Sequence, residues 1–116
     1  MTNEKNKRPL IAIDFDGVMN KYKGWKGEKV LYKPQNNLLN FIRKVYKDYD
    51  ITVFTCRNVK PVYEWLEEYN IRDYVVAVTN LKPQAVVYID DRAIRFNGDY
   101  EEVLSELKEF KTWWEE

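Results

Sequence analysis

The chain has 116 residues, enough for one hydrophobic core and not for two. Lysine plus arginine and aspartate plus glutamate both number 19, so no global field draws the chain to nucleic acid or to an anionic membrane. Sixteen per cent aromatic residues exclude intrinsic disorder, which needs low hydrophobicity, and a single cysteine, Cys56, excludes an internal disulfide and fits a reducing compartment.

Residues 1–8 are polar and charged and read as a loose N-terminus. The apolar run that follows is too short for a signal-peptide core or a membrane span, so the expectation is a soluble cytoplasmic protein. That run, Leu10 to Ile13, has the β-branched character of a parallel strand buried on both faces. It ends in Asp14-Phe15-Asp16-Gly17, two carboxylates at i and i+2 and a glycine suited to a sharp turn. Residues 18–33 lack helical periodicity and read as an irregular turn followed by a small hairpin or flap. Within it, Trp25 either covers a substrate or packs the loop down.

Leu38, Leu39, Phe41, Ile42, Val45 and Tyr46 recur at helical spacing and predict an amphipathic helix. Asp50 to Thr55 is the second strand, and Asn58 the cap of a second helix whose buried stripe is Val62, Trp65, Leu66 and Tyr69. Tyr74 to Thr79 and Ala85 to Ile89 read as third and fourth strands, with Ile94 to Phe96 a short edge strand. Asp99 and Glu102 start a last helix, with Tyr100, Val103, Leu104, Leu107 and Phe110 as its buried face and Trp113 and Trp114 pinning it to the body. Alternation of strands and helices predicts an α/β fold, a single Rossmann-like three-layer domain with a parallel sheet. The five residues from Asn80 to Gln84 are too few for a crossover helix before the fourth strand.

In a parallel sheet all carboxyl ends share one edge, so Asp14, Asp16, Thr55, Arg57, Asp90 and Asp91 should converge there, with Lys82 close by. Read alone, Asp90-Asp91 is a solvated strand end, and Asp14-x-Asp16 is either a solvated acidic turn or part of a ligand site. Together, four carboxylates in one crevice call for a hard cation such as Mg²⁺, and an anionic substrate, best a phosphate, completes the balance. The absence of histidine removes Ser-His-Asp and Cys-His catalysis and imidazole bases, which leaves acid–base work to Asp, Glu, Lys, Tyr or Cys.

Asp14-Phe15-Asp16-Gly17-Val18, Thr55, Lys82 and Ile89-Asp90-Asp91 resemble, in order and strand-end placement, the four motifs of the haloacid dehalogenase (HAD) superfamily. The second acid resembles the phosphatase branch, and the short chain resembles members without a cap domain. The resemblance implies a Mg²⁺-dependent phosphomonoester hydrolase working through an aspartyl-phosphate. Asp14 would be the nucleophile and Asp16 the acid–base residue. Asp14, the Asp16 backbone carbonyl and Asp91 would be metal ligands, with Asp90 orienting Lys82. Thr55 and Lys82 would contact the phosphoryl group. Lys82 stands only 90 − 82 = 8 residues before Asp90, a shorter spacing than the family's. Cys56 is expected to be a small buried residue. Arg57, Arg92 and Arg95 either contact substrate or hold structure, and Lys23 and Trp25 of the flap are candidate selectivity residues. The expected substrate is a phosphorylated small molecule, a nucleotide or a nucleic-acid end. The alternative is a non-catalytic phosphate-binding or phospho-acceptor switch module of the same fold.

Overall fold

The computed structural model describes residues 8–115. Its elements are β1 (Leu10–Asp14), α1 (Leu38–Tyr46), β2 (Asp50–Phe54), α2 (Val59–Glu68), β3 (Ala77–Thr79), β4 (Val87–Ile89) and α3 (Tyr100–Glu109), with a 3-10 turn at Arg72–Tyr74. The expected loose N-terminus falls mostly outside the described residues. Its last member, Arg8, is tied down instead, donating to the Tyr49 carbonyl at 2.8 Å and stacking over the Tyr46 ring. Among the described residues, no helix is long and apolar enough to cross a membrane.

The strands form one sheet in the order β3-β2-β1-β4, every neighbouring pair parallel, an α/β arrangement compatible with a Rossmann-like fold. Ile11, Ala12 and Ile13 are buried in succession, as a strand covered on both faces requires. Register then places the chemistry: Ile13 pairs with Val53 on one side and Ile89 on the other, so Asp14, Thr55 and Asp90 leave the sheet at one edge. The chain steps outward from β1 to β3 and returns to the far side of β1 for β4. A reversal of this kind opens a crevice beyond the strand ends.

Local signals account for the first two helices. Leu38 and Ile42 of α1 are buried, and α1 packs on β2. The Asn58 side chain caps α2 by accepting from the Lys60 amide, and Val62, Trp65 and Leu66 face the core. Phe15 and Met19, just beyond β1, are fully buried with them, and Phe15 meets Trp65 edge-to-face at 4.9 Å. The third strand is shorter than expected, because Tyr74 belongs to the 3-10 turn and pairing starts at Ala77. The flap has no regular strands; an antiparallel bridge between Asn20 and Pro34 closes its base.

Two expectations for the last third of the chain fail. Ile94 to Phe96 is not a strand, because the Asp90 side chain accepts from the Arg92 amide at 2.9 Å and turns the chain away from the edge. Helix α3 forms under its cap, with Asp99 accepting from the Glu101 and Glu102 amides, but none of its residues is buried. Its apolar stripe, Tyr100, Leu104, Leu107 and Phe110, stays exposed, and α3 packs on no strand as α1 does on β2 or α2 on β3. The three-layer expectation is therefore unfilled at this helix. What anchors the segment is the tail beyond it, where Thr112 is buried and Trp114 is half-buried.

Candidate metal and phosphate site

Asp14, at the end of β1, meets Asp90 and Asp91, just past β4, with one carboxylate oxygen from each lying within 4.8 Å of the others. Burial first, and then the adjoining carboxylates of Asp91 and Asp90, raise the Asp14 carboxyl from 3.8 to about 8. Asp90 is exposed and held by the Arg92 amide, and Lys82, its expected partner, lies over the Tyr88 ring instead. Asp91 accepts at Oδ2 from the Trp114 indole at 2.6 Å, while its Oδ1 is buried with no hydrogen-bond partner among the described residues. A buried carboxylate oxygen left unpaired is costly. Converging acids, an orphan oxygen and a carboxyl raised by its neighbours together fit a hard, oxygen-seeking cation. Asp14, Asp90 and Asp91 are the side chains that would hold it.

Asp16 points elsewhere. Its Oδ2 accepts from Arg57 Nε at 2.7 Å and its Oδ1 from Asn20 Nδ2 at 2.9 Å, and it stands outside the three-acid group. Expectation put four carboxylates together, but the ion pair with Arg57 draws one of them off. Arg57 is 1% exposed, and its remaining nitrogens donate to the Gly27 and Val30 carbonyls of the flap. Trp25 stacks over the guanidinium at 4.7 Å and remains 57% exposed on the flap. Arg57 is thus the bolt between the second strand end, Asp16 and the flap. Asn20, fully buried, completes the junction by donating to the Leu31 carbonyl and accepting from the Gly17 amide.

A cavity of about 430 Å³ opens beside these groups, lined by Asp14, Asp16, Tyr22, Trp25, Glu28, Thr55, Cys56, Arg57 and Arg92. Thr55 is buried, and its Oγ1 accepts from the Arg57 amide at 3.0 Å, which leaves the hydroxyl proton free for a ligand. Cys56 is exposed on the cavity wall, contrary to expectation: in the turn after β2, Thr55 and Arg57 point inward and the residue between them points out. Lys82 lies outside the lining, its ammonium 4.6 Å from the centre of the Tyr88 ring. Lys23 is exposed and also outside the lining, and Arg95 borders a separate shallow pocket near the end of α3.

Trp113 and Trp114, whose sequence context signals packing, and Asn20, which carries no motif, also meet this site. Trp113 donates from its indole to the Gly17 carbonyl at 2.7 Å, and Trp114 meets Tyr22 edge-to-face at 5.0 Å. Only the Asp16 to Asn20 spacing of four carried a local signal, since a helical turn places such residues side by side.

Gly17 is boxed in by the same groups. It adopts φ +85°, and a Cβ there would collide with the Asp91 carboxylate and stand 2.7 Å from Trp114 Nε1. Gly17→Ala is expected to lower stability by about 2–4 kcal/mol, from left-handed strain plus overpacking, measurable by urea denaturation.

No known family model matches this sequence, and no characterised relative matches it. A solved structure described as a "conserved protein coded by locus from Bacteroides thetaiotaomicron" superposes with a TM-score of 0.59 at 18% identity, covering 92% of this chain and 95% of that one. The likeness extends over nearly the whole of both chains, and it is one of fold.

Proposed function

We propose that the chain is a Mg²⁺-dependent phosphomonoester hydrolase of HAD-like type, with Asp14 as nucleophile. The observation that carries this reading is the meeting of Asp14, Asp90 and Asp91 at adjacent strand ends beside a cavity walled by Thr55 and Arg92. Bound at the three acids, the cation would offset their charge and that of a phosphate. Asp14 attacks phosphorus, the bond to the leaving oxygen breaks, and an aspartyl-phosphate results. The Thr55 hydroxyl donates to a phosphoryl oxygen. Asp16 takes up a proton from solvent as Oδ1 or Oδ2 lets go of Asn20 or Arg57, gives it to the leaving oxygen, and then, as a carboxylate again, takes a proton from the attacking water. Arg92, on the cavity wall, replaces Lys82 as the cation nearest the phosphoryl group in this proposal.

Hydrolysis of an aryl phosphate should require Mg²⁺ and stop with chelator; turnover indifferent to both chelator and Asp14→Asn would sink the reading. Arg92→Ala is expected to reduce kcat/KM by about 10–100-fold through lost charge stabilisation, and Lys82→Ala to change it by less than about threefold. Equal losses in the two variants would return the role to Lys82.

One observation favours a phospho-acceptor switch instead. Both Asp16 oxygens are already engaged, and an Asp16 that never opens would leave phospho-Asp14 standing. Acetyl phosphate treatment separates the two: a long-lived acyl phosphate without turnover marks the switch.

A further inference from the structure

The tail beyond α3 reaches the acidic site although the helix that carries it buries nothing. Three independent features converge on Trp114. Its indole N–H donates to Asp91 Oδ2 at 2.6 Å while the other Asp91 oxygen is buried and unpaired among the described residues. Its ring is edge-on against Tyr22 at 5.0 Å and lies under the Arg92 guanidinium at 5.6 Å, and both of these residues line the cavity. The glycine of the first strand end leaves room for the Asp91–Trp114 pair, which any side chain at position 17 would displace. A packed indole needs some acceptor for its N–H; Trp113 takes a backbone carbonyl, whereas Trp114 takes a carboxylate oxygen of the acidic group.

We propose that Trp114 is a positioning residue for the cation site: it holds Oδ2 of Asp91 and thereby fixes the carboxylate that meets Asp14 and Asp90. This rests on the reading that those three acids take a divalent cation. Groups that orient a metal ligand from behind typically govern affinity by 10–100-fold when removed. Coupling is reciprocal, so a cation at the acids also strengthens docking of the tail. The C-terminal segment is then part of the site, tightened when the site fills.

The test uses Mg²⁺ itself, titrated calorimetrically into the wild-type protein, Trp114→Phe and Asp91→Asn at one pH and salt concentration. Phenylalanine keeps an aromatic ring facing Tyr22 and removes the N–H together with part of the indole's bulk. Wild-type binding, about tenfold weaker binding by Trp114→Phe and loss in Asp91→Asn are expected, each in protein shown folded by circular dichroism. Equal affinity in wild type and Trp114→Phe overturns the positioning role and leaves the cation site standing. No binding by wild type overturns the cation reading beneath it. A second measurement needs no variant: in ¹⁵N spectra of the wild-type protein, exchange of the Trp114 indole hydrogen should slow on adding Mg²⁺. An exchange rate unchanged at saturating Mg²⁺ overturns the coupling even if Trp114→Phe fails to fold.

Discussion

Arg57→Ala is expected to destabilise the fold by about 3 kcal/mol, seen as a fall of about 2 M in the urea midpoint for a chain of this size. The guanidinium is fully buried and binds Asp16, Gly27 and Val30 at once. Alanine would strand one carboxylate oxygen and two carbonyls and open a void beneath Trp25. Breaking a buried pair costs more than the pair is worth, because the partner left behind stays desolvated. The Asp16 side chain is 22% exposed, so water can reach it and the loss stays near the low end of the about 3–5 kcal/mol that breaking a buried pair costs. Arg57→Lys retains the charge but lacks the planar fork that spans three acceptors, and should recover less than half of the loss. A variant within about 0.5 kcal/mol of wild type would show that the flap is held by other contacts, chiefly those of Asn20.

Such contacts mark where sequence reading succeeds and where it stops. Strand β1, the Asn58 and Asp99 caps and the stripes of α1 and α2 were legible because each depends on residues a few positions apart. The convergence of Asp14 with Asp90 and Asp91 was legible because parallel pairing brings all strand ends to one edge. Asp16 shares that edge in sequence, yet its direction is set by an arginine 41 positions away, which spacing does not reveal. Trp114 lies 23 residues from Asp91, beyond a helix, and tryptophan near a helix end ordinarily signals packing. The exposure of α3 was illegible for a related reason: periodicity shows that a helix has an apolar face, not that the fold supplies a surface to cover it. Lys82 illustrates the same limit at short range. Asp90 stands eight positions further along loop and strand, and Lys82 settles on Tyr88 two residues nearer.

Asp14→Asn should move activity and stability in opposite directions. Removing the proposed nucleophile is expected to reduce turnover by about 10⁴-fold or more, since asparagine cannot form the acyl phosphate. At alkaline pH without added cation the variant should be the more stable, because burial, with Asp91 and Asp90 beside it, makes the wild-type carboxyl titrate at about 8 instead of 3.8. The folded chain therefore holds this proton where the unfolded chain has released it. Folded protein binds more protons than unfolded between about pH 4 and pH 8, so wild-type stability falls as pH rises through that window and levels off above it. One proton difference sets a ceiling of about 1.4 kcal/mol per pH unit, and partial exposure of Asp14 keeps the slope below it. Asparagine removes this contribution, so the variant's curve should be flatter and should cross above wild type toward pH 8. Saturating Mg²⁺ should flatten the wild-type curve too, by favouring the ionised acid, and leave the Asp14→Asn curve nearly unmoved. Urea denaturation of both proteins at pH 5 and pH 8, with chelator and with Mg²⁺, gives all four comparisons. Parallel pH curves for the two proteins in chelator would mean that Asp14 is ionised at no cost, and that its neighbours do not crowd it as the strand ends require.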